Sequence, residues 1–527
     1  MADTTTSKQT FQVRDGDFRD ASAFVNTLLL RKDISRETAS ETLLVFEALM
    51  QKIVDWGLSE DTDLEISGTS SLGDFRIKIG FEGKLFAHDN SEGHSPEDKT
   101  LDAYDDKLDY SYHSGYNTIT ISVSRSNHTS LFACIIASLC AVIVYALISF
   151  QVDANTQKDL LSDYVVPLET MYANAMLMVG APMTLFSLLK NLTDAFIISQ
   201  RYSNVRRLQA KTLATSVLAA LLAVATFFLL SNSLLAGLRA SSPEFGVSVD
   251  RTFGEIVTSL VPSSILEPFE AVLPIPLMVI ALLSTYALCS SGKYFDSLRY
   301  AIMACYTLFS RMLHVLIAAL PVFCFLAIMD VLLDAGLEWL AVDLLSFALV
   351  CLSMLLLYAT YAIRLRVRGI KVLPFVRTLV PLLAENYRIG SAINAAPYNI
   401  RYCSNNFRMN RTMLENNIPV LAEINLDGNC FILMSLSLIF IFSAGADISW
   451  IVLVGVELLV LFLSYGAPNQ PGSILIGVLL IAMYLQSFDV VCMAILAEGF
   501  LGSVQNLTNV IGDIVMVAIE DKKEFTA

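Results

Sequence analysis

"EINLDGNCFILMSLSLIFIF", residues 423–442, sets Asn425, Asp427, Gly428 and Asn429 at the entrance to a long apolar run. A carboxylate inside a bilayer costs about 3 kcal/mol or more and marks a pathway or a site. The glycine beside it weakens a helix there and frees backbone carbonyls to act as ligands. A charge so placed requires a compensating partner elsewhere in the chain.

The composition fits a membrane setting for this stretch. Of 527 residues, 55% are hydrophobic and 16% charged, too little charge for a soluble protein of this length. The fold class expected is an α-helical polytopic membrane protein, with about eight transmembrane helices and two re-entrant helical hairpins after a small soluble α/β domain. The net charge of −15 argues against nucleic acid as a partner. Nine cysteines begin at Cys134, without a CxxC pair or other metal spacing, and read as small buried hydrophobes. "MADTTTSKQTF" at the N-terminus lacks the apolar region of a cleaved leader.

Residues 1–126 read as the soluble domain. A charged helix is expected over Ser35–Trp56, with strands at 63–67, 74–81 and 117–123 and an acidic loop before the last. Membrane helices fill 127–371. Uncharged runs long enough to span are 130–150, 170–189, 212–238, 271–292 and 344–363, and 301–329 joins them despite Arg311 and His314. The basic stretches "RYSNVRRLQAK" (201–211) and "RLRVRGIK" (364–371) alternate with the acidic "DVLLDAGLE" (330–338). The positive-inside rule puts the basic loops, and with them both termini, in the cytoplasm of a cell with the chain in its plasma or inner membrane. Arg311, Asp330, Asp343 and Glu457 are expected to snorkel at interfaces, and His314 to be structural.

The pattern breaks over 372–527. "RIGSAINAAPYNIRYCSNNFRMNRT" is too polar for an ordinary span, and the uncharged run 458–488 is interrupted by "PNQPGS" at 468–473. Prolines and a glycine there end a helix, and neither half crosses a bilayer alone, so a hairpin is expected. Such broken elements line sites in secondary transporters.

At this point four motifs in order resemble the dicarboxylate/amino acid:cation symporter family, the glutamate transporters. "INLDGN" (424–429) is similar to the family's Asn-Met-Asp-Gly-Thr signature. "SYGAPNQPGS" (464–473) is similar to its second hairpin tip, and "LTNVIGDIVMVAIEDKK" (507–523) to the end of its eighth helix. "GSAINAAP" (390–397) stands where the first hairpin's tip falls, and "LVPSS" (260–264) resembles the stretch near its fourth helix. The resemblance implies a non-enzymatic symporter that couples Na⁺ or H⁺ entry to uptake of a small organic solute, a dicarboxylate or related carboxylate. It also implies a homotrimer, an elevator-type motion and no cofactor beyond the coupling ion.

Sodium takes hard oxygen ligands. Asn425, Asp427, Asn509 and Asp513 supply them on two helices, and the resemblance gives Leu426 a role through its backbone. The resemblance implies substrate contacts at Ser391, Asn394, Asn429, Asn469, Pro471, Gly472, Gly502, Gln505 and Asn509, with Thr215 and Ser216 as further hydroxyl candidates for the ion. Gly502 stands where amino-acid carriers of the family hold an amine-binding aspartate, and Gln505 where they hold a carboxylate-binding arginine. A less charged substrate is expected, or a carboxylate held by backbone N–H groups at the hairpin tips.

The segment "ETLLVFEALMQKIVDWG" (41–57) and the strands after it resemble the start of the histidine-kinase-like ATPase fold. Glu47 matches, whereas Gln51 replaces the asparagine and the Asp-x-Gly is missing. A regulatory module, open to a cytoplasmic regulator, is therefore expected rather than a nucleotide site. It leaves a sensor that signals through this domain as the alternative to a carrier.

Overall fold

The computed structural model describes residues 7–12, 15–31, 34, 36–56, 62–71, 74–83, 86, 101, 108–113, 115–123, 131–201, 203–231, 254, 258, 260–270, 272–443, 450–466, 471–485 and 491–521. Its contacts divide the chain into two units. The first is Met1–Asn127 together with Asn394–Asn416; the second is His128–Ile393 with Asn417–Ala527.

The first unit is a two-layer α/β domain. Strands β1 (Ser7–Gln12), β2 (Asp63–Ser71), β3 (Asp74–Glu82), β4 (Leu108–His113) and β5 (Tyr116–Val123) form an antiparallel sheet in the order β1-β2-β3-β5-β4. Period-two alternation buries one face: Ile66 pairs with Ile79, which pairs in turn with Ile119, and all three are buried. Helices α1 (Asp15–Arg31) and α2 (Arg36–Asp55) share that core through Val25, Leu29, Phe46, Leu49 and Ile53. The three expected strands and α2 are present. Two further strands and α1 join them, and the acidic loop around 87–100 lies outside the described residues.

In this unit Glu47 of α2 accepts a 2.5 Å ion-paired hydrogen bond from Arg401 and lies 4.0 Å from Arg411. The segment Asn394–Asn416 thus brings arginines to the helix whose glutamate resembled a nucleotide-site residue.

The second unit is helical. Its first elements are α3 (Leu131–Gln151), α4 (Ala154–Leu160) with a π turn at Leu161–Val165, α5 (Val166–Arg201), α6 (Ser203–Ser231), α7 (Glu267–Glu270) and α8 (Pro274–Cys289). Next come α9 (Phe295–Ala318), α10 (Leu320–Asp334), α11 (Leu337–Val367) and α12 (Val372–Ile389). The chain ends with α13 (Ala392–Asn406), α14 (Arg411–Ile424), α15 (Asp427–Ser443), α16 (Trp450–Gly466), α17 (Ser473–Tyr484) and α18 (Val491–Glu520). Among the described residues seven helices are long and apolar enough to cross a membrane, against about eight expected. The difference has local causes. The apolar α8 is 16 residues long, and the run 301–329 is split between α9 and α10, with Pro321 in the first turn of α10.

The broken elements fall where the sequence places them. Helices α12 and α13 meet at Gly390 in a left-handed conformation (φ 73°). Helices α16 and α17 pack on each other and meet at a tip that ends on Gly472 (φ 102°). Helices α14 and α15 abut at a non-helical Asn425-Leu426 pair, so the chain breaks at the motif that opened the reading. Helix α18 packs against α10, α11, α15 and α17 and carries the remaining candidate residues into this interior.

Candidate functional site

The break at 425–426 and the inner half of α18 form one buried polar cluster. Asn425 Nδ2 donates to Asp513 Oδ1 at 2.9 Å, and Gly428 N donates to Asn509 Oδ1 at 2.9 Å. Asp427 accepts from Tyr361 OH on α11 at 2.8 Å and from Ser216 Oγ on α6 at 3.1 Å. Thr215 Oγ1 lies 3.4 Å from Asn425 Oδ1. Asn425, Asp427, Asn509 and Asp513 are all within 2% of full burial. The approach is close because position 428 has no side chain: a Cβ there would come within 2.7 Å of the Gln505 carbonyl oxygen and 2.8 Å of Thr508 Cβ.

The nearest positive charge acting on this cluster is Arg364 on α11, which reaches Asp427 through space without bonding it. Two aspartates lie in the cluster, and among the described residues neither forms a salt bridge. Several other charges carried by the long helices do pair: Lys190 with Glu423 at 2.5 Å, Arg299 with Asp194 at 2.9 Å, and Lys211 with Glu520. The donors around Asp427 and Asp513 are hydroxyls and an amide, which stabilise a carboxylate without neutralising it. The donor set is also chemically suited to a small hard cation, with carboxylate, amide and hydroxyl oxygens and the unwound backbone at 425–426.

A second polar group joins the second hairpin to α18. Glu498, 5% exposed, accepts hydrogen bonds from three backbone N–H groups at the start of α17: Gly472 at 2.8 Å, Ile474 at 3.0 Å and Leu475 at 3.1 Å. Ser473 Oγ donates to Gln505 Oε1 at 3.1 Å. Helix α17 has no capping side chain of its own at Gly472, so Glu498 satisfies N–H groups that a helix start otherwise leaves open. The expectation that these N–H groups are free to hold a substrate carboxylate is corrected on this point, because α18 supplies the carboxylate.

The remaining candidates are placed as follows. Leu426 is buried in the break, and Asn429 Nδ2 lies 3.4 Å from Ser464 Oγ while its Oδ1 has no hydrogen-bond partner among the described residues. Ser391 is buried next to Gly390. Pro471 and Gly472 form the described end of the second tip, and Gly502 is half-buried on α18. Asn394 is on α13; its side chain, and Asn469 as a whole, lie outside the described residues. Thr215 and Ser216 both join the cluster. Sequence reading missed Tyr361, Ser464 and Glu498. Only Glu498 carried a signal, as a single charge in the apolar "VCMAILAEGFLG".

Two of the expected snorkelling charges behave differently. Asp330 Oδ2 accepts from Cys492 Sγ at 2.7 Å, the same thiol lying 3.3 Å from Glu169 Oε2. Both carboxylate oxygens of Glu457 are buried without a hydrogen-bond partner among the described residues. Arg311 is exposed on the helix surface, and Asp343's side chain lies outside the described residues.

A model of the sodium:dicarboxylate symporter family matches residues 129–523, about three quarters of the chain. No curated protein matches it.

Proposed function

The chain belongs to the sodium:dicarboxylate symporter family, and from that premise we propose that it couples sodium entry to the uptake of a small organic solute. The observation that carries the reading is the pair Asp427 and Asp513, buried at a helix break with hydroxyl and amide donors and no cationic side chain bonded to either. Two carboxylates in a membrane interior, neither bonded to a cationic side chain, favour a bound cation. Asn425 and Asn509, with the carbonyls opened at 425–426, complete an oxygen-rich set for it. The membrane potential then contributes about 2.3 kcal/mol per charge per 100 mV to concentrating the solute.

On this reading the ion and solute occupy the region between α14/α15, α18 and the two hairpin tips. Residues 372–527 form the moving core of an elevator-type carrier and 127–371 mostly its scaffold. Ser216 and Tyr361, which bond Asp427 from α6 and α11, travel with the core. The family likeness supports a homotrimer. Dicarboxylates and related carboxylates are the first solutes to test on the strength of the family's name.

Thermal unfolding of the purified chain in sodium against choline buffer tests the proposal. A ligand at roughly 100 times its dissociation constant stabilises by about 2.7 kcal/mol. Wild type is expected to gain stability in sodium, and Asp427→Asn and Asp513→Asn each to lose most of that gain. An undiminished sodium response in both variants sinks the assignment. A second reading, a sensor that signals through the N-terminal domain, draws on the grouping of Asn394–Asn416 with that domain. Sodium-dependent uptake that vanishes on deletion of the domain, with the melt of the rest unchanged, favours it.

A further inference from the structure

Away from the aspartate cluster, three side chains that can ligate a metal meet where α5 and α18 start and α10 ends. Glu169 lies in the first turn of α5, Asp330 near the end of α10, and Cys492 is the second residue of α18. Cys492 Sγ stands 2.7 Å from Asp330 Oδ2 and 3.3 Å from Glu169 Oε2. One ligand atom from each residue lies within 4.8 Å of the other two. No spacing motif announces the group, because its members come from three distant helices.

Its hydrogen bonding is incomplete. A thiol has one proton to donate, and here two carboxyl groups face it. Glu169 is 3% exposed, and its Oε1 has no hydrogen-bond partner among the described residues. Among those residues the group also receives no hydrogen bond from a lysine, arginine or histidine. A buried carboxylate oxygen is left that the protein does not satisfy, beside a second carboxylate.

A metal ion resolves both. Zinc binds sulfur at about 2.3 Å and carboxylate oxygen at about 2.0–2.2 Å, which sets tetrahedral ligand atoms roughly 3.5 Å apart. The observed separations, 2.7 Å at the shortest and 4.8 Å at most, straddle that value, so small side-chain rotations close the shell. Sulfur decides the class of ion. Sodium, magnesium and calcium take oxygen ligands, whereas zinc and cadmium accept a thiolate beside carboxylates. The group is also remote from the sodium candidate: Cys492 and Asp513 share α18 but stand about 30 Å apart along it, at 1.5 Å per residue. Asp330 opens the acidic stretch 330–338, which the positive-inside rule puts outside the cell. Asp330 and Cys492 are partly exposed, which gives an external ion a way in.

We propose that Glu169, Asp330 and Cys492 form a binding site for a divalent transition-metal ion of the zinc class, with a fourth position left to water. On binding, the Cys492 thiol proton and any proton held between the carboxyl groups pass to solvent, and one metal–sulfur and two metal–oxygen bonds form. The ion ties the start of α18 to α5 and α10.

The test uses the full-length purified chain in detergent, with Zn²⁺, Cd²⁺ and Mg²⁺ as probes. Zn²⁺ is expected to raise the melt of wild type, and Mg²⁺ at the same concentration to leave it unchanged. Cd²⁺ is expected to give the ultraviolet band of a thiolate-bound ion, lost in Cys492→Ser. Cys492→Ser and Asp330→Asn are each expected to raise the apparent Kd for Zn²⁺ by about tenfold or more, since losing a ligand costs no less than losing an outer-shell partner. If neither variant folds, wild type decides: Zn²⁺ slows iodoacetamide modification of Cys492, mapped by peptide mass spectrometry. A wild-type melt indifferent to Zn²⁺, a Zn²⁺ response undiminished in both variants, or alkylation of Cys492 as fast with Zn²⁺ as without it overturns the site and leaves the three side chains a proton-sharing group. The sodium response is read separately and bears only on the symporter reading.

Discussion

Gly428 shows how tightly the aspartate cluster is built. Its Cα passes so close to α18 that a methyl group would run into the Gln505 carbonyl oxygen, which is backbone and cannot swing aside. Gly428→Ala is therefore expected to destabilise the chain by about 1–3 kcal/mol, the usual cost of overpacking, seen as a lowered melt in detergent. Tyr361 makes a different contribution. Its hydroxyl donates to a buried carboxylate oxygen, so Tyr361→Phe keeps the shape and withdraws a donor from a charged acceptor. A loss of about 1–3 kcal/mol is expected, measured in sodium-free buffer so that the ion does not mask it. The contrast between the two residues also shows what a sequence can and cannot carry at this scale. Asp427 and Asp513 were legible because polar and glycine neighbours interrupt an apolar run. Tyr361 and Ser216 sit in ordinary apolar helices, 66 and 211 residues from the carboxylate they bond, and only folding reveals them.

Helix breaks are the elements that matter most here, and each has a residue that makes it. Gly472 holds a φ of 102°, which an L side chain adopts with strain, and a Cβ there would also meet Ile317 Cδ1 at 2.9 Å. Gly472→Ala is expected to loosen the second tip, since the left-handed conformation costs about 1–2 kcal/mol for a residue with a side chain. Maleimide labelling of a cysteine placed by Asn469→Cys should be faster in the Gly472→Ala background than in the parent; an unchanged rate refutes the strain argument. Prolines and glycines announce such breaks, which is why the turn at Gly390, the second hairpin and the split at 425–426 could be read in advance. Strands announce themselves less evenly. β2, β3 and β5 alternate strongly and were legible. β1, "SKQTFQ", buries only Phe11 among its described side chains and does not alternate, while β4, "LDYSYH", alternates over just six residues next to an acidic stretch of sequence. α1 did carry a signal, with Ala21, Val25, Leu28 and Leu29 on one buried stripe, but its charged first turns hid it.

At the scale of the whole molecule the chain leaves one unit, returns to it and leaves it again. The segment Asn394–Asn416 belongs to the first unit, while the residues on both sides of it belong to the second. That grouping has no local signature, because it depends on Glu47 and Arg401 finding each other across the length of the protein. It predicts a charge-swap result in the full chain. Glu47→Arg is expected to raise tryptic cleavage between Arg401 and Arg411, and adding Arg401→Glu to restore protection. Cleavage that ignores both changes would mean the ion pair does not hold the segment. The pair has a further consequence during synthesis. Arg401 follows Glu47 by 354 residues, and at about 5–20 residues per second a ribosome needs roughly 20–70 s to cover that distance. For the part of that interval after residue 127, the N-terminal stretch of the unit is already synthesised while its last segment, Asn394–Asn416, is still to come. A chain that stops short of residue 394 leaves Glu47 waiting for an arginine that never arrives.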